Sequence, residues 1–152
     1  MDLLSPQEDR LPAARFDIDL LAARLVRATE WVAARQGTPL RLGYFGASTG
    51  AAAAIGAATA SPIQIYAIVS RGGRPDLAGA KVLATLLAPA LLIVGELDTN
   101  VIKPNQSAFA LLTCQKEMVT VPGATHLFEE PGTLEAVALL AAQWFQRYLG
   151  NG

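Results

Sequence analysis

Leu40-Arg41-Leu42-Gly43-Tyr44-Phe45-Gly46-Ala47-Ser48-Thr49-Gly50 leads directly into the run Ala51-Ala52-Ala53-Ala54. Residues 40–45 have the composition of a strand, 46–50 spell G-x-S-x-G, and the alanines that follow favour a helix. In that order the five-residue motif describes a nucleophile elbow, a turn sharp enough to strain the serine backbone and lift Oγ clear of a sheet. The glycines fit the same geometry: at Gly46 and Gly50 a side chain would collide where strand and helix come closest. The helix starting after Ser48 would also aim unpaired backbone N–H groups at negative charge forming beside the serine. A plainer reading of the same residues is a tight strand-to-helix turn in which Ser48 caps the helix.

A nucleophilic serine requires a base, and the chain has one histidine. His126 follows Val121-Pro122-Gly123-Ala124-Thr125, just beyond the apolar alternation Met118-Val119-Thr120-Val121. It therefore falls on a loop past a strand end, where functional side chains of open α/β sheets gather, and Pro122-Gly123 argues against a buried helical position. The base in turn requires a carboxylate to set its tautomer. Ala90-Leu91-Leu92-Ile93-Val94 reads as a buried strand, and Gly95-Glu96-Leu97-Asp98 follows it. Asp98 is the chosen acid; Glu96 is its competitor, also readable as a solvated loop carboxylate. Ser48, Asp98 and His126 thus occur in that chain order, each just after a strand.

This is the chain order of the α/β-hydrolase triad, and the chain resembles that superfamily over nearly its whole length. Residues 95–101 (Gly-Glu-Leu-Asp-Thr-Asn-Val) resemble its acid loop and residues 122–128 (Pro-Gly-Ala-Thr-His-Leu-Phe) its histidine loop. Residues 44–51, 69–76 and 125–132 resemble a dienelactone-hydrolase-like branch, members of which are sometimes fused to a phosphoribosyltransferase domain. Dienelactone hydrolases themselves use a cysteine nucleophile, so Ser48 is a departure that weighs against lactone cleavage. The superfamily core has eight strands with the elbow on the fifth. The resemblance therefore implies the C-terminal half of that fold, with Met1-Asp2-Leu3-Leu4 as the tail of a preceding strand. It also makes Thr49 N–H the elbow's oxyanion donor, while the loop that usually supplies a second donor has no counterpart here.

At 152 residues the chain is long enough to bury about 68–70% of its unfolded surface as one domain spanning 1–152. A net charge of −1 offers no electrostatic case for nucleic acid or an anionic membrane. The single Cys114 excludes an internal disulfide and is compatible with a reducing cytoplasm. No metal is expected, since one histidine and one cysteine fall on different elements. No cofactor fingerprint is present either, because Gly43-Tyr44-Phe45-Gly46 lies within a strand and has the wrong spacing. The longest apolar stretches are interrupted by Gly56 or Pro89 and are too short to cross a bilayer. The first ten residues lack the basic and apolar regions of a signal peptide, so a cytoplasmic location is expected.

Punctuation and period predict a helix from Asp17 or Asp19 to about Gln36, stopped by Gly37, then strand 40–45 and helix 49–60. Strand 63–69, a helix near 77–87, strand 90–94, a helix near 104–114, strand 117–121 and helix 133–149 follow. Residues 5–16 read as a loose polar stretch. The alternation implies an α/β fold, a mostly parallel sheet of about four strands flanked by helices.

Two functions compete on this basis. One is a serine hydrolase acting on an ester or related acyl bond of a small molecule. The other is a catalytically impaired half-fold serving as an assembly or binding module. Arg71 and Arg74, flanking Gly72-Gly73, are candidate contacts for an anionic substrate, or cationic side chains of a solvated loop. With its superfamily neighbour missing, the 40–45 strand becomes an apolar edge, and the helices at 19–36 and 49–60 are expected to leave apolar surface bare. Hence a homodimer covering the 40–45 edge is expected.

Overall fold

The computed structural model describes residues 1–35 and 40–150. They form α1 (Pro12–Arg15), α2 (Ile18–Arg35), β1 (Leu42–Ala47), α3 (Thr49–Ala60), β2 (Ile65–Arg71), α4 (Ala80–Thr85), β3 (Ala90–Gly95), α5 (Thr99–Leu111), β4 (Lys116–Val121) and α6 (Thr133–Leu149). Short 3₁₀ turns lie at Glu8–Arg10 and Pro75–Ala78. Among the described residues the strands make one parallel four-stranded sheet, in the order β1-β2-β3-β4. This is the expected α/β class.

Each strand is laid beside its predecessor in a constant direction, so crossovers of one hand deliver every connecting helix to the same face. Ile55 of α3, Leu83 of α4 and Leu112 after α5 accordingly share one core with Ile68 and Leu92, and α2 packs against it through Ala22, Leu25 and Val26. The opposite face is covered by α6, where Val69, Leu91 and Ile93 meet Val137, Ala141 and Trp144. Buried on both faces, β3 carries no polar side chain.

The alanine-rich α3 is not left bare, contrary to expectation. Ala51, Ala52, Ala53, Ala54, Ile55 and Ala57 are buried because small side chains let α2 approach closely; a Cβ on Gly56 would lie 3.2 Å from Ala22 Cβ. Tyr44 of β1 ties the sheet to α2 through a 2.6 Å hydrogen bond between its hydroxyl and Thr29 Oγ1. The stretch 5–16 is also more ordered than its composition suggests. Ser5 and Glu8 cap one another reciprocally, Ser5 N–H donating to Glu8 Oε2 at 2.8 Å and Glu8 N–H to Ser5 Oγ at 3.3 Å. Arg24 of α2 then grips Glu8 and the Leu3 carbonyl. Met1–Leu4 adopt no strand. Asp17 caps α2 by accepting from Leu20 N–H at 3.0 Å; the expected stop at Gln36 and Gly37 lies outside the described residues.

Two boundaries differ in a way that matters for the site. β1 starts at Leu42 and runs on through Gly46 and Ala47, so the turn is compressed into Ser48 alone. α5 starts at Thr99, five residues before the expected 104, and carries Pro104 inside it.

Candidate active site

In a parallel sheet all strands end on one edge, and the three expected residues emerge there. Ser48 follows β1 with φ 51° and ψ −128°, a region that costs a non-glycine residue on the order of 1–3 kcal/mol. The strain is held from outside: Arg74 N–H donates to the Ser48 carbonyl at 3.0 Å, and Ala51 N–H at 3.2 Å. Gly46 is needed for closeness, since a Cβ there would collide with the Gly50 carbonyl. Gly50 is not; a Cβ at that position meets nothing within 4 Å. It borders instead a cavity of about 750 Å³ between the elbow and the N-terminal segment, walled by Leu3, Leu4, Leu21, Thr49 and Gly50. Ser48 occupies the N-cap position of α3, yet its side chain makes no capping hydrogen bond. The capping alternative is therefore not what the structure shows, and the exposed hydroxyl is uncommitted.

Asp98 stands at the N-cap position of α5 and likewise makes no side-chain cap. Its buried carboxylate is turned to the histidine loop, with Oδ2 2.6 Å from His126 Nδ1. The Asp98 side chain is 5% exposed and the imidazole 44%. The pair thus has a fixed, dry carboxylate end and a solvent-reaching ring end. Among the described residues no hydrogen bond joins His126 to Ser48. Glu96 goes elsewhere, its Oε2 accepting from Gly123 N–H at 2.8 Å, so it anchors the base of the histidine loop. Glu130 closes the other side of that loop, bonded to Thr125 N–H at 3.1 Å and to the Thr125 hydroxyl. Those bonds, the hydroxyl first, hold the Glu130 carboxyl below its ordinary value of 4.5. Phe128, buried with φ 58°, pins the loop from beneath.

Between Ser48 and His126 runs the loop Gly72-Gly73-Arg74 after β2. Gly72 has φ +49°, and a Cβ there would come 3.1 Å from the His126 carbonyl. Both glycines are buried, so this is a packed strut and not a solvated loop. Arg74 turns its guanidinium onto Asp76, with contacts of 2.9 and 2.8 Å; a pair two residues apart in a 3₁₀ turn leaves little of it for a ligand. Arg71 lies beside the elbow, in register with Ala47. It donates to the Leu127 carbonyl at 3.3 Å and sits 5.6 Å from the Phe128 ring. Asn105, fully buried on α5, holds the Gly73 carbonyl. Neither Asn105 nor Glu130 was expected, and only Asn105 had a signal, as a polar residue amid the apolar spacing of a helix.

Among the described residues no group of three or more His, Cys, Asp or Glu could hold a metal, and no helix is long and apolar enough to cross a membrane. Cys114 is half-buried beyond α5, and burial pushes its thiol up.

No protein-family model matches the chain. Two curated Mycobacterium tuberculosis proteins, strains CDC 1551 and H37Rv, are 54% identical over 149 residues; both carry the provisional name phosphoribosyl transferase. The match takes in 97% of this chain, which spans about a third (33%) of their length. A crystal structure of a dienelactone hydrolase from Anabaena variabilis superposes with a TM-score of 0.87 at 51% identity, covering 97% of this chain and 70% of that one. The esterase domain of a Rhodothermus marinus protein shares the fold at 19% identity and a TM-score of 0.69, over 80% of this chain and 67% of its own. The chain belongs to the α/β-hydrolase family that the Anabaena dienelactone hydrolase represents.

Proposed function

We propose that the chain is a serine hydrolase cleaving an ester or related acyl bond of a small molecule, with Ser48 as nucleophile, His126 as base and Asp98 as the orienting acid. One observation carries the reading: the 2.6 Å Asp98–His126 pair lies on the same sheet edge as a strained Ser48 whose hydroxyl caps nothing. A buried carboxylate accepts the Nδ1 proton, which leaves Nε2 unprotonated and able to accept one. Ser48 Oγ attacks the acyl carbon while its proton passes to His126 Nε2. Thr49 N–H, at the start of α3, receives the developing oxyanion. The proton then goes to the leaving alcohol as the acyl–oxygen bond breaks. Water, deprotonated by the same imidazole, releases the acid and restores Ser48.

The cavity bordered by Thr49 and Gly50 offers room for the acyl group. Arg71 is the residue we assign to an acidic group on the substrate, since among the described residues it faces a carbonyl and a ring but no carboxylate; Arg74, held by Asp76, is the weaker contact. A cytoplasmic setting, no cofactor, and a second copy of the chain across the β1 edge complete the reading.

The open edge at β1 favours the second reading, an assembly or binding module with impaired catalysis. Fluorophosphonate labelling separates the two. The hydrolase reading expects one adduct on Ser48, none in Ser48→Ala and much slower labelling in His126→Ala. A folded wild-type protein that takes no label belongs to the second class.

A further inference from the structure

The geometry points to Asn105 as a positioning residue: its amide fixes the loop on which both the Ser48 backbone and the His126 ring rest. The kinetic part of this inference rests on the hydrolase reading; the structural part does not. Asn105 lies on α5, the helix that begins at Asp98, and is fully buried. Its Nδ2 donates to the Gly73 carbonyl at 2.9 Å and to the Val101 carbonyl at 2.8 Å. A buried amide costs desolvation that a similarly sized apolar side chain would avoid. The bond one turn back, to Val101, is a local convenience available to any short polar residue. What the amide adds is its hold on Gly73, 32 residues away in sequence.

Gly73 has no latitude, since a Cβ there would run into Ser70 Oγ and, at 2.5 Å, Ala51 Cβ. On one side of it, Gly72 lies against the histidine loop; a Cβ there would be 3.1 Å from the His126 carbonyl and 3.6 Å from Nδ1. The Gly72 N–H is tied to the Ile93 carbonyl of β3 at 2.8 Å. On the other side, Arg74 N–H donates to the Ser48 carbonyl at 3.0 Å. Gly72 and Arg74, either side of Gly73, therefore meet the histidine loop and the serine's backbone. The side chain that clamps the middle one comes from the helix headed by Asp98. One amide thus references Ser48, His126 and Asp98 to a common frame.

The test compares Asn105→Ser, which keeps a hydroxyl able to reach Val101 but not Gly73, with Asn105→Ala, which keeps neither, and with Gln106→Ala on the exposed side of α5 as control. With 4-nitrophenyl acetate as probe, N105S should lose roughly ten- to hundredfold in kcat, with KM little changed and fluorophosphonate labelling slowed to match. His126 is the only histidine, so its Cε1–H resonance needs no assignment and should move in N105S but not in Q106A. If N105A fails to fold, N105S decides. A folded N105S with wild-type kcat, labelling and imidazole shift overturns the inference. If the wild-type protein neither labels nor turns over, the hydrolase reading falls, and the imidazole resonance alone judges the positioning: displaced in N105S it stands, unmoved it is wrong.

Discussion

Ser48 and Asp98 are residue types that stabilise helix N-termini well, and each occupies the N-cap position of a twelve- or thirteen-residue helix without capping it. A cap is typically worth about 1 kcal/mol, so α3 and α5 both forgo that local stabilisation. The Asp98 carboxylate is committed to His126, and Glu96, two residues earlier, to Gly123 N–H. That division makes a prediction. Asp98→Asn presents an amide that favours the wrong imidazole tautomer, and kcat should fall by about 10⁴-fold. Glu96→Gln keeps an acceptor for Gly123 and should leave kcat within a fewfold of wild type. Steady-state kinetics on both variants checks it; equal losses would mean that the acid is misassigned.

At the scale of elements, the histidine loop is a strap whose holds include Glu96 on Gly123, buried Phe128, and Glu130 on Thr125. The Glu130 carboxyl is held below its ordinary 4.5 in the folded loop. Its contribution is therefore complete above pH 4.5, the unfolded value, and is lost as pH falls through the lower folded value. The Thr125 amide resonance should report this as a transition centred below pH 4.5, absent in Glu130→Gln. A midpoint at or above 4.5 would show that Glu130 does not hold the loop. The strut at 72–74 is held differently, by backbone groups, one neutral amide and the Arg74–Asp76 ion pair.

For the whole molecule, the order β1-β2-β3-β4 makes β1 a sheet edge, with Phe45 half exposed and Leu40 exposed just ahead of it. A short apolar edge with no inward charge invites pairing. Two copies related by a two-fold axis can lay their β1 strands antiparallel and merge the sheets. The expected outcome in light scattering is a particle of twice the 16.0 kDa chain mass, reverting toward monomer in Phe45→Lys. A wild-type particle of 16.0 kDa would rule the dimer out. The need for it is narrower than uncovered helices would have implied, since α2 and the 75–78 turn already bury α3.

Everything carried by local pattern is legible in the chain before it folds. The alternation of strands and helices, the elbow at 46–50 and the emergence of Asp98 and His126 just past strand ends follow from apolar period and from Gly and Pro punctuation. Those signals act over a few residues. The helix expected near 104 shows their limit: α5 begins five residues earlier, at Thr99, and takes Pro104 into its interior. Which carboxylate meets the imidazole is settled in three dimensions, since Asp98 and Glu96 differ by two residues in sequence and by whole directions in space. The folded chain alone reveals the clamp from Asn105 to Gly73 and the grip of Arg24 on Glu8. These join residues 16 to 32 positions apart, and such contacts exist only once burial has placed their elements side by side.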